Sequence, residues 1–355
     1  MKFIRSILLI LNILLAVGLL LSTLAGSVSP SRFMPLSLAA YLYLPLLGAN
    51  LLMVVVWMLM GRWEFLLSVA VIALRWSMVG MYFQVGGTAK VPDRSEHPMM
   101  VTLMTYNVHQ FQGRDDQPEH SDTHAAEFLD LVRRQQPDVL CLQEYAAPKT
   151  LHLTDSLVLM GYNHYYGAHT SATGLPYGTV VFSRLPVTYV TRIDSEKLLV
   201  ELLKESRPLR VCCIHMDSYR FDATDREEIE RMRRGEVQES SRRTLGKVRE
   251  TILSHETEWV QRIEPVVSGS SVPLVVAGDL NDIPNSWISC RLSDGLKDSF
   301  REKGSGFSDT YNGGFPQFRI DAVFHSEGLQ TLSYKRLRVD LSDHYPVMTA
   351  LELVP

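Results

Sequence analysis

The sequence predicts an α/β domain preceded by an N-terminal bundle of about three transmembrane helices, and three observations carry that prediction. Residues 1–85 hold three long apolar stretches with almost no charge, and the chain from His97 onward alternates short strand-like runs with helical ones. Several of those strands end in a carboxylate, an amide or a histidine. The composition, 46% hydrophobic and 21% charged over 355 residues, fits one ordinary globular domain plus an apolar addition.

The apolar part comes first. Ser6 to Leu24 and Phe33 to Gly61 carry no charge, and Phe65 to Phe83 is interrupted only by Arg75. Each is about as long as the roughly 20 residues a helix needs to cross a bilayer. Lys2 and Arg5 ahead of the first run, with "STLAGS" behind it, also fit a cleavable signal peptide. The third run is the weakest span, because an Arg at its middle must face other helices, snorkel, or mark a segment lying at the interface.

Gly86 to Pro98, "GGTAKVPDRSEHP", reads as a linker. The expected domains are therefore 1–85 (transmembrane), 86–98 (linker) and 99–355 (α/β). Residues 97–355 hold 28 Lys and Arg against 36 Asp and Glu, a balance that argues against electrostatic capture of long duplex DNA. Arg231, Arg233, Arg234, Arg242, Arg243 and Lys247 do cluster, but Glu227, Glu228, Glu230, Glu236 and Glu239 are interleaved with them, as on a solvated helical face. The four cysteines, Cys141, Cys212, Cys213 and Cys290, lie mostly in strand-like runs and read as small buried hydrophobes.

Within 99–355, "VTLMTYN" (101–107) reads as a strand and "THAAEFLDLVRRQQ" (123–136) as a helix burying Ala125, Phe128, Leu129 and Val132. Pro137 stops that helix, and "DVLCLQE" (138–144) follows as a strand. Further strands are expected at 178–183, 209–216, 273–279, 319–324 and 347–353. A long helix over about 241–263 sets Leu245, Val248, Ile252 and Trp259 at helical spacing, which marks them as core.

Polar groups gather where these strands stop: Asn107, Glu144, His215, Asp279 with Asn281, and Asp321, followed by Asp343 and His344 in "LSDHYPV". Side chains at strand ends project from a rigid sheet edge, so residues far apart in sequence can meet on one substrate. Taken singly, each has a structural explanation: a turn cap, a solvated strand end, an Asx turn in "GDLND", a core histidine.

As an ordered set, "TYNV", "DVLCLQE", "GTVVFSRLPV", "CIHMD", "GDLND", "RIDAVF" and "SDHYPV" resemble the endonuclease/exonuclease/phosphatase superfamily, the fold of pancreatic deoxyribonuclease, sphingomyelinases and inositol-polyphosphate phosphatases. The resemblance covers about residues 100–354 and none of the apolar part, so the chain looks like a membrane-anchored, bacterial-type member. It implies a four-layer α/β/β/α sandwich, two packed sheets flanked by helices. One departure is Cys213, which stands two residues before His215 where many members carry Asn.

The resemblance also implies roles. Asp279 would orient and deprotonate the attacking water, and Asn281 would donate to a phosphoryl oxygen. His344, oriented by Asp321, and His215 would face the phosphate. Asn107, Glu144 and Asp343 would form the metal shell for Mg²⁺, with Mn²⁺ as the alternative, since a hard cation prefers oxygen ligands. The implied activity is that of a membrane-tethered, metal-dependent phosphoesterase, foremost a phosphodiesterase. A nuclease and a catalytically inactive binding module on the same fold are the alternatives.

The expected partners are the lipid bilayer and a phosphoester substrate, a lipid headgroup or small phosphodiester ahead of nucleic acid. Lys2 and Arg5 are expected to hold the amino terminus inside, so three crossings leave the catalytic domain extracytoplasmic. Loop charges near the spans otherwise tie.

Overall fold

The computed structural model describes residues 2–354 other than 115–116, 149–150, 172–173, 237 and 314–317; the side chains of Ala223 and of Arg233, a member of the basic cluster, also lie outside the described set. In chain order the helices are α1 (Lys2–Leu24), α2 (Met34–Ala39), α3 (Tyr43–Leu59), α4 (Phe65–Leu74), α5 (Trp76–Tyr82), α6 (Ser121–Gln135), α7 (Leu153–Leu159), α8 (Ala223–Arg233), α9 (Glu239–Glu258), α10 (Glu264–Ser268), α11 (Trp287–Gly295) and α12 (Ser299–Lys303). The strands are β1 (Phe83–Gln84), β2 (Met100–Asn107), β3 (Val139–Tyr145), β4 (His164–Thr170), β5 (Pro176–Ser183), β6 (Val187–Arg192), β7 (Lys197–Lys204), β8 (Arg207–His215), β9 (Leu274–Asp279), β10 (Lys297–Asp298), β11 (Gly306–Phe307), β12 (Asp321–His325), β13 (Leu329–Arg336) and β14 (Val347–Leu353). The chain forms two compact units: one of Met1–Met81, Asp217–Thr257 and Ile283–Arg291, the other of Tyr82–Met216, Glu258–Asp282 and Leu292–Pro355.

In the first unit, Lys2–Ser27 and Met34–Leu59 are each 26 residues of high mean hydropathy, long and apolar enough to cross a membrane. The third apolar run is not one straight helix: α4 and α5 meet at 71° around Arg75. The Arg75 guanidinium donates from Nη2 to the Thr23 carbonyl (2.8 Å), one of the carbonyls left open at the end of α1. A buried polar knot ties α1, α3 and α4. The Ser68 hydroxyl lies 2.7 Å from Asn12 Oδ1 and 2.9 Å from Asn50 Oδ1, while the Asn50 amide donates to the carbonyls of Leu46 and Leu15. In an apolar surround such bonds give helices a specific register that hydrophobicity alone does not.

The insert of α8 and α9 joins this unit through a polar interior. The periodicity expected over 241–263 is only half realised: α9 ends at Glu258, Ile252 within it and Trp259 beyond it are buried, but Leu245 is 44% exposed. Ser241 and Thr244 take the buried face because they hydrogen-bond to Glu228 and Asp225 of α8, and Lys247 pairs with Asp225. A hydroxyl facing a buried carboxylate outcompetes a leucine for that position.

The second unit is two six-stranded sheets flanked by helices, ordered β13-β14-β2-β3-β5-β4 and β10-β12-β9-β8-β7-β6. Only β2 with β3 and β8 with β9 run parallel; the remaining neighbours are antiparallel. Alternation of side chains sorts the core. Val101, Leu103, Val139, Cys141 and Val181 of one sheet meet Val200, Val211, Cys213, Val275 and Ala277 of the other. Met104, Tyr106, Leu140 and Leu142 point the opposite way, onto Ala125, Phe128 and Val132 of α6. Because both faces of β2 and β9 are covered, those strands read as near-continuous apolar runs that end in a polar residue. All four cysteines are buried and unpaired to one another.

Arg319 and Asp298 form a bidentate ion pair (2.9 and 2.7 Å) with both side chains buried. Asp298 also accepts from Phe300 N at the start of α12. Removing one charge strands the other. Arg319→Leu is therefore expected to lower stability by about 3–5 kcal/mol, measured as the shift of the urea midpoint of the full chain in detergent; a shift under about 1 kcal/mol would show that water reaches the pair.

Candidate active site

Strand register brings the first three polar residues together. His215 pairs with Asp279 across β8 and β9, and Asp279 with Asp321 across β9 and β12, so the three stand side by side on adjacent strands. Gly278 makes the close approach possible: its φ is +151°, and a Cβ there would lie 1.8 Å from the Ile214 carbonyl oxygen. In the other sheet, Asn107 ends β2 beside Gln143 of β3. The β3–β5 register slips between Leu142 and Tyr145, and Glu144 takes a positive φ of 51° there. That irregularity turns Glu144 out of the ladder, a common use of bulges beside functional sites.

The two sheets meet at Asn107. Its amide Nδ2 donates to Glu144 Oε1 (3.0 Å) and to Asp279 Oδ2 (3.1 Å), while its Oδ1 accepts from His109 N (3.0 Å). In this arrangement Asn107 bridges two carboxylates as a donor. Asp343 is held near the same strand end, since Ser342 Oγ donates to the Asn107 carbonyl and lies 3.3 Å from Asp343 Oδ1. Asn281 has φ +48° and caps Asp279 through its backbone N–H (2.8 Å), and its amide donates to the Met216 carbonyl.

Two imidazoles face Asp279, each with a carboxylate behind it. His344 Nδ1 lies 2.9 Å from Asp321 Oδ2, and its Nε2 is 3.7 Å from Asp279 Oδ2. Burial by itself would lower the His344 pKa, but Asp321 and Asp279 overcome it and hold the value well above the usual 6.5. His215 Nδ1 lies 3.3 Å from Glu196 Oε2. Burial again opposes the charge, and Glu196, Asp279 and Glu144 raise the His215 pKa nonetheless. Among the described residues, His215 Nε2 is buried without a hydrogen-bond partner, 3.6 Å from Glu144 Oε1 and 3.9 Å from Asp279 Oδ2. Burial pushes the Asp279 carboxyl up to about 6, with His344 pulling it down and Asp321 pushing it up.

Sequence reasoning overlooked Glu196 and His109. Glu196 sits just before β7, outside every polar strand end; its signal is the buried Lys197 beside it, which bonds Asp194 and Glu258 and fixes that corner. His109 lies 3.5 Å from Asp343 Oδ1 and opens a run of three positive φ angles, 44°, 50° and 62°, through Phe111. Cys213 points into the core, where Gln143 Nε2 donates to its sulfur (3.3 Å).

The donor set suits a hard divalent cation. Glu144, Asp279, Asp321 and Asp343 set four carboxylates around Asn107, His215 and His344. Glu144 and Asp343 are the partly exposed members of the set, open to a hydrated ion that keeps several of its waters. Among the described residues, Asp279, Asp321 and His344 also bring ligand atoms within 4.8 Å of one another, but there the imidazole already bonds Asp321.

A raised histidine pKa stabilises the fold below the unfolded value, and the contribution fades as the pH climbs through the folded one. Asp321→Asn is expected to bring the His344 titration back toward 6.5 and to narrow this stabilisation to more acidic pH. Histidine ¹⁵N NMR across pH 5–9 reads it directly; an unmoved His344 titration would assign the shift to Asp279.

A family profile described as Endonuclease/Exonuclease/phosphatase family matches residues 104–344. A second, described as a domain of unknown function, matches residues 5–82. No curated protein matches the sequence. Among solved structures, ANGEL2, a 2′,3′-cyclic phosphatase in complex with adenosine-2′,3′-vanadate, is 15% identical over 72% of this chain and 96% of its own, with a TM-score of 0.51. An endonuclease/exonuclease/phosphatase from Beutenbergia cavernae DSM 12333 is 20% identical over 72% of each chain (TM-score 0.46). The human Nocturnin catalytic domain with bound sulfate is 15% identical over 74% of this chain and 100% of its own (TM-score 0.49). At such identities the likeness concerns the fold.

Proposed function

This chain belongs to the endonuclease/exonuclease/phosphatase family, and we propose that it is a membrane-tethered, Mg²⁺-dependent phosphodiesterase. The observation that carries the reading is the in-register row His215–Asp279–Asp321 with His344 closing on Asp279. Asp279 is the general base: with a carboxyl near 6 it is largely ionised at neutral pH yet basic enough to take a proton from water. Its oxygens are aimed by the Asn107 amide and the Asn281 backbone N–H. His344, kept protonated by Asp321, and the unpartnered Nε2 of His215 donate to phosphoryl oxygens as charge builds. Mg²⁺, held by Glu144 and Asp343, would supply neutralisation of the phosphate charge. Asn107 steadies Glu144 from the protein side.

Asp279→Asn and Glu144→Gln should each cut turnover by about 10²–10³ while leaving the circular dichroism spectrum in place. The assay uses full-length protein with saturating Mg²⁺ on a panel of phosphodiesters, phosphomonoesters and oligonucleotides. Near-normal rates in either variant would remove that residue from the site, and a rate confined to oligonucleotides would make the protein a nuclease.

The helical unit also supports an extracytoplasmic placement of the catalytic domain. The Arg5–Glu64 ion pair keeps the α3–α4 connection at the amino-terminal end of α1, and Arg75 bonded to Thr23 keeps the end of α4 at the opposite one. The chain thus leaves the apolar helices on the side away from Lys2 and Arg5, which the positive-inside preference makes extracytoplasmic. Protease added to spheroplasts should cleave the region after Pro98; protection until the membrane is opened would reverse the assignment.

A further inference from the structure

The unit that holds the apolar helices also holds two excursions from the catalytic chain, 217–257 and 283–291. The first begins two residues after His215 and the second two residues after Asn281. Both are fastened to one stretch of the N-terminal unit, the connection between α1 and α3. The Glu256 carboxylate accepts from Ser29 Oγ, from Ser31 N (2.8 Å) and from Ser31 Oγ (3.0 Å). Tyr219 hydrogen-bonds Tyr41 through their hydroxyls. The buried Asn285 amide donates to the carbonyls of Ser22 and Ala40, both at 3.3 Å. Gly26 lies so close to Cys290 that a Cβ would come within 2.1 Å of its sulfur.

Ser22 to Tyr41 covers the last turns of the first apolar segment, the turn after it and the first turns of the second, so these fastenings gather at one end of the helical bundle. The 217–257 hairpin is closed at its base, where His255 Nε2 donates to the Asp217 carbonyl (2.7 Å) and Ser254 to its carboxylate. Its charge gives a polyanion no purchase: nine Lys and Arg stand against ten Asp and Glu.

Resting on the phosphodiesterase reading above, we propose that these fastened segments select a substrate presented by the bilayer, a phosphodiester headgroup on an amphiphile embedded in the leaflet at the α1–α3 connection. Tyr219, Glu256 and Asn285 are the positioning residues that hold these segments in place. Bringing an acyl chain into water is strongly unfavourable, so a site serving such a substrate must work at the leaflet surface. A chain that passes from two catalytic strand ends directly into segments bolted at that surface meets the requirement, and a soluble diester has no need of it. Confinement to the leaflet further raises the local substrate concentration.

The test uses the full chain with Mg²⁺ in vesicles of equal parts phosphatidylcholine, phosphatidylethanolamine, phosphatidylglycerol and sphingomyelin. It compares headgroup release from these lipids with release from dispersed short-chain counterparts, followed by ³¹P NMR, and with turnover of bis(p-nitrophenyl) phosphate. We expect one vesicle lipid to be cleaved at least about tenfold faster than its short-chain counterpart. The double variant Glu256→Ala, Asn285→Ala should lose that advantage and keep its rate on bis(p-nitrophenyl) phosphate. Equal rates on dispersed and vesicle substrates, or an equal loss on both in the variant, would overturn the proposal. Cleavage of the soluble diester with no vesicle lipid touched would overturn it and leave the phosphodiesterase reading standing; no cleavage of any diester would remove both.

Discussion

The register of three strands is the constraint on which the rest of the site depends. His215, Asp279 and Asp321 face one another only because β8, β9 and β12 pair as they do, and a slip by one residue would turn Asp279 to the opposite face. Gly278 locks that pairing, since its open α-carbon lets β9 approach the Ile214 carbonyl more closely than any side chain allows. Everything that acts on Asp279 follows: two imidazoles within 4 Å, an amide from the other sheet, and a backbone N–H two residues on.

This arrangement is costly to the fold and useful to the chemistry for the same reason. Burial raises Asp279 instead of letting it ionise freely, and the neighbouring Asp321 carboxylate pushes the same way. Backbone strain adds to this, with Glu144 and Asn281 both held at positive φ. Asn tolerates that conformation; Glu does so less readily, so Glu144 keeps it only because the β3–β5 irregularity and the Asn107 hydrogen bond fix both its ends. Preorganised groups of this kind need little rearrangement when charge develops on a bound phosphate.

The central strands were legible in the sequence because both their faces are covered, which makes β2, β3, β8 and β9 near-continuous apolar runs ending in polar residues. The edge strands β4, "HYYGAHT", and β6, "VTYVTR", were not, since much of each is exposed and their mixed polarity resembles loop. The same limit applies in the site. Residues at the ends of buried strands announced themselves, whereas Glu196 acts from the residue before β7 and is tied to His215 only by the pairing of β7 with β8. Leu245 fails for a different reason: helical periodicity marks a face but not which face wins, and the acids of α8 drew Ser241 and Thr244 inward instead.

The helical unit shows the converse. Its apolar helices are legible from hydropathy alone, yet what gives it a definite structure is its few polar atoms. Asn12, Asn50 and Ser68 are fully buried among apolar neighbours, where every unsatisfied donor is expensive, so they satisfy one another and fix how α1, α3 and α4 meet. Arg75 follows the same logic at the end of the third run: a cation that lipid will not accept finds the open carbonyl of Thr23, and the helix bends there. The residue that weakened the sequence argument for a third span is thus also the one that ties its far end to the close of α1.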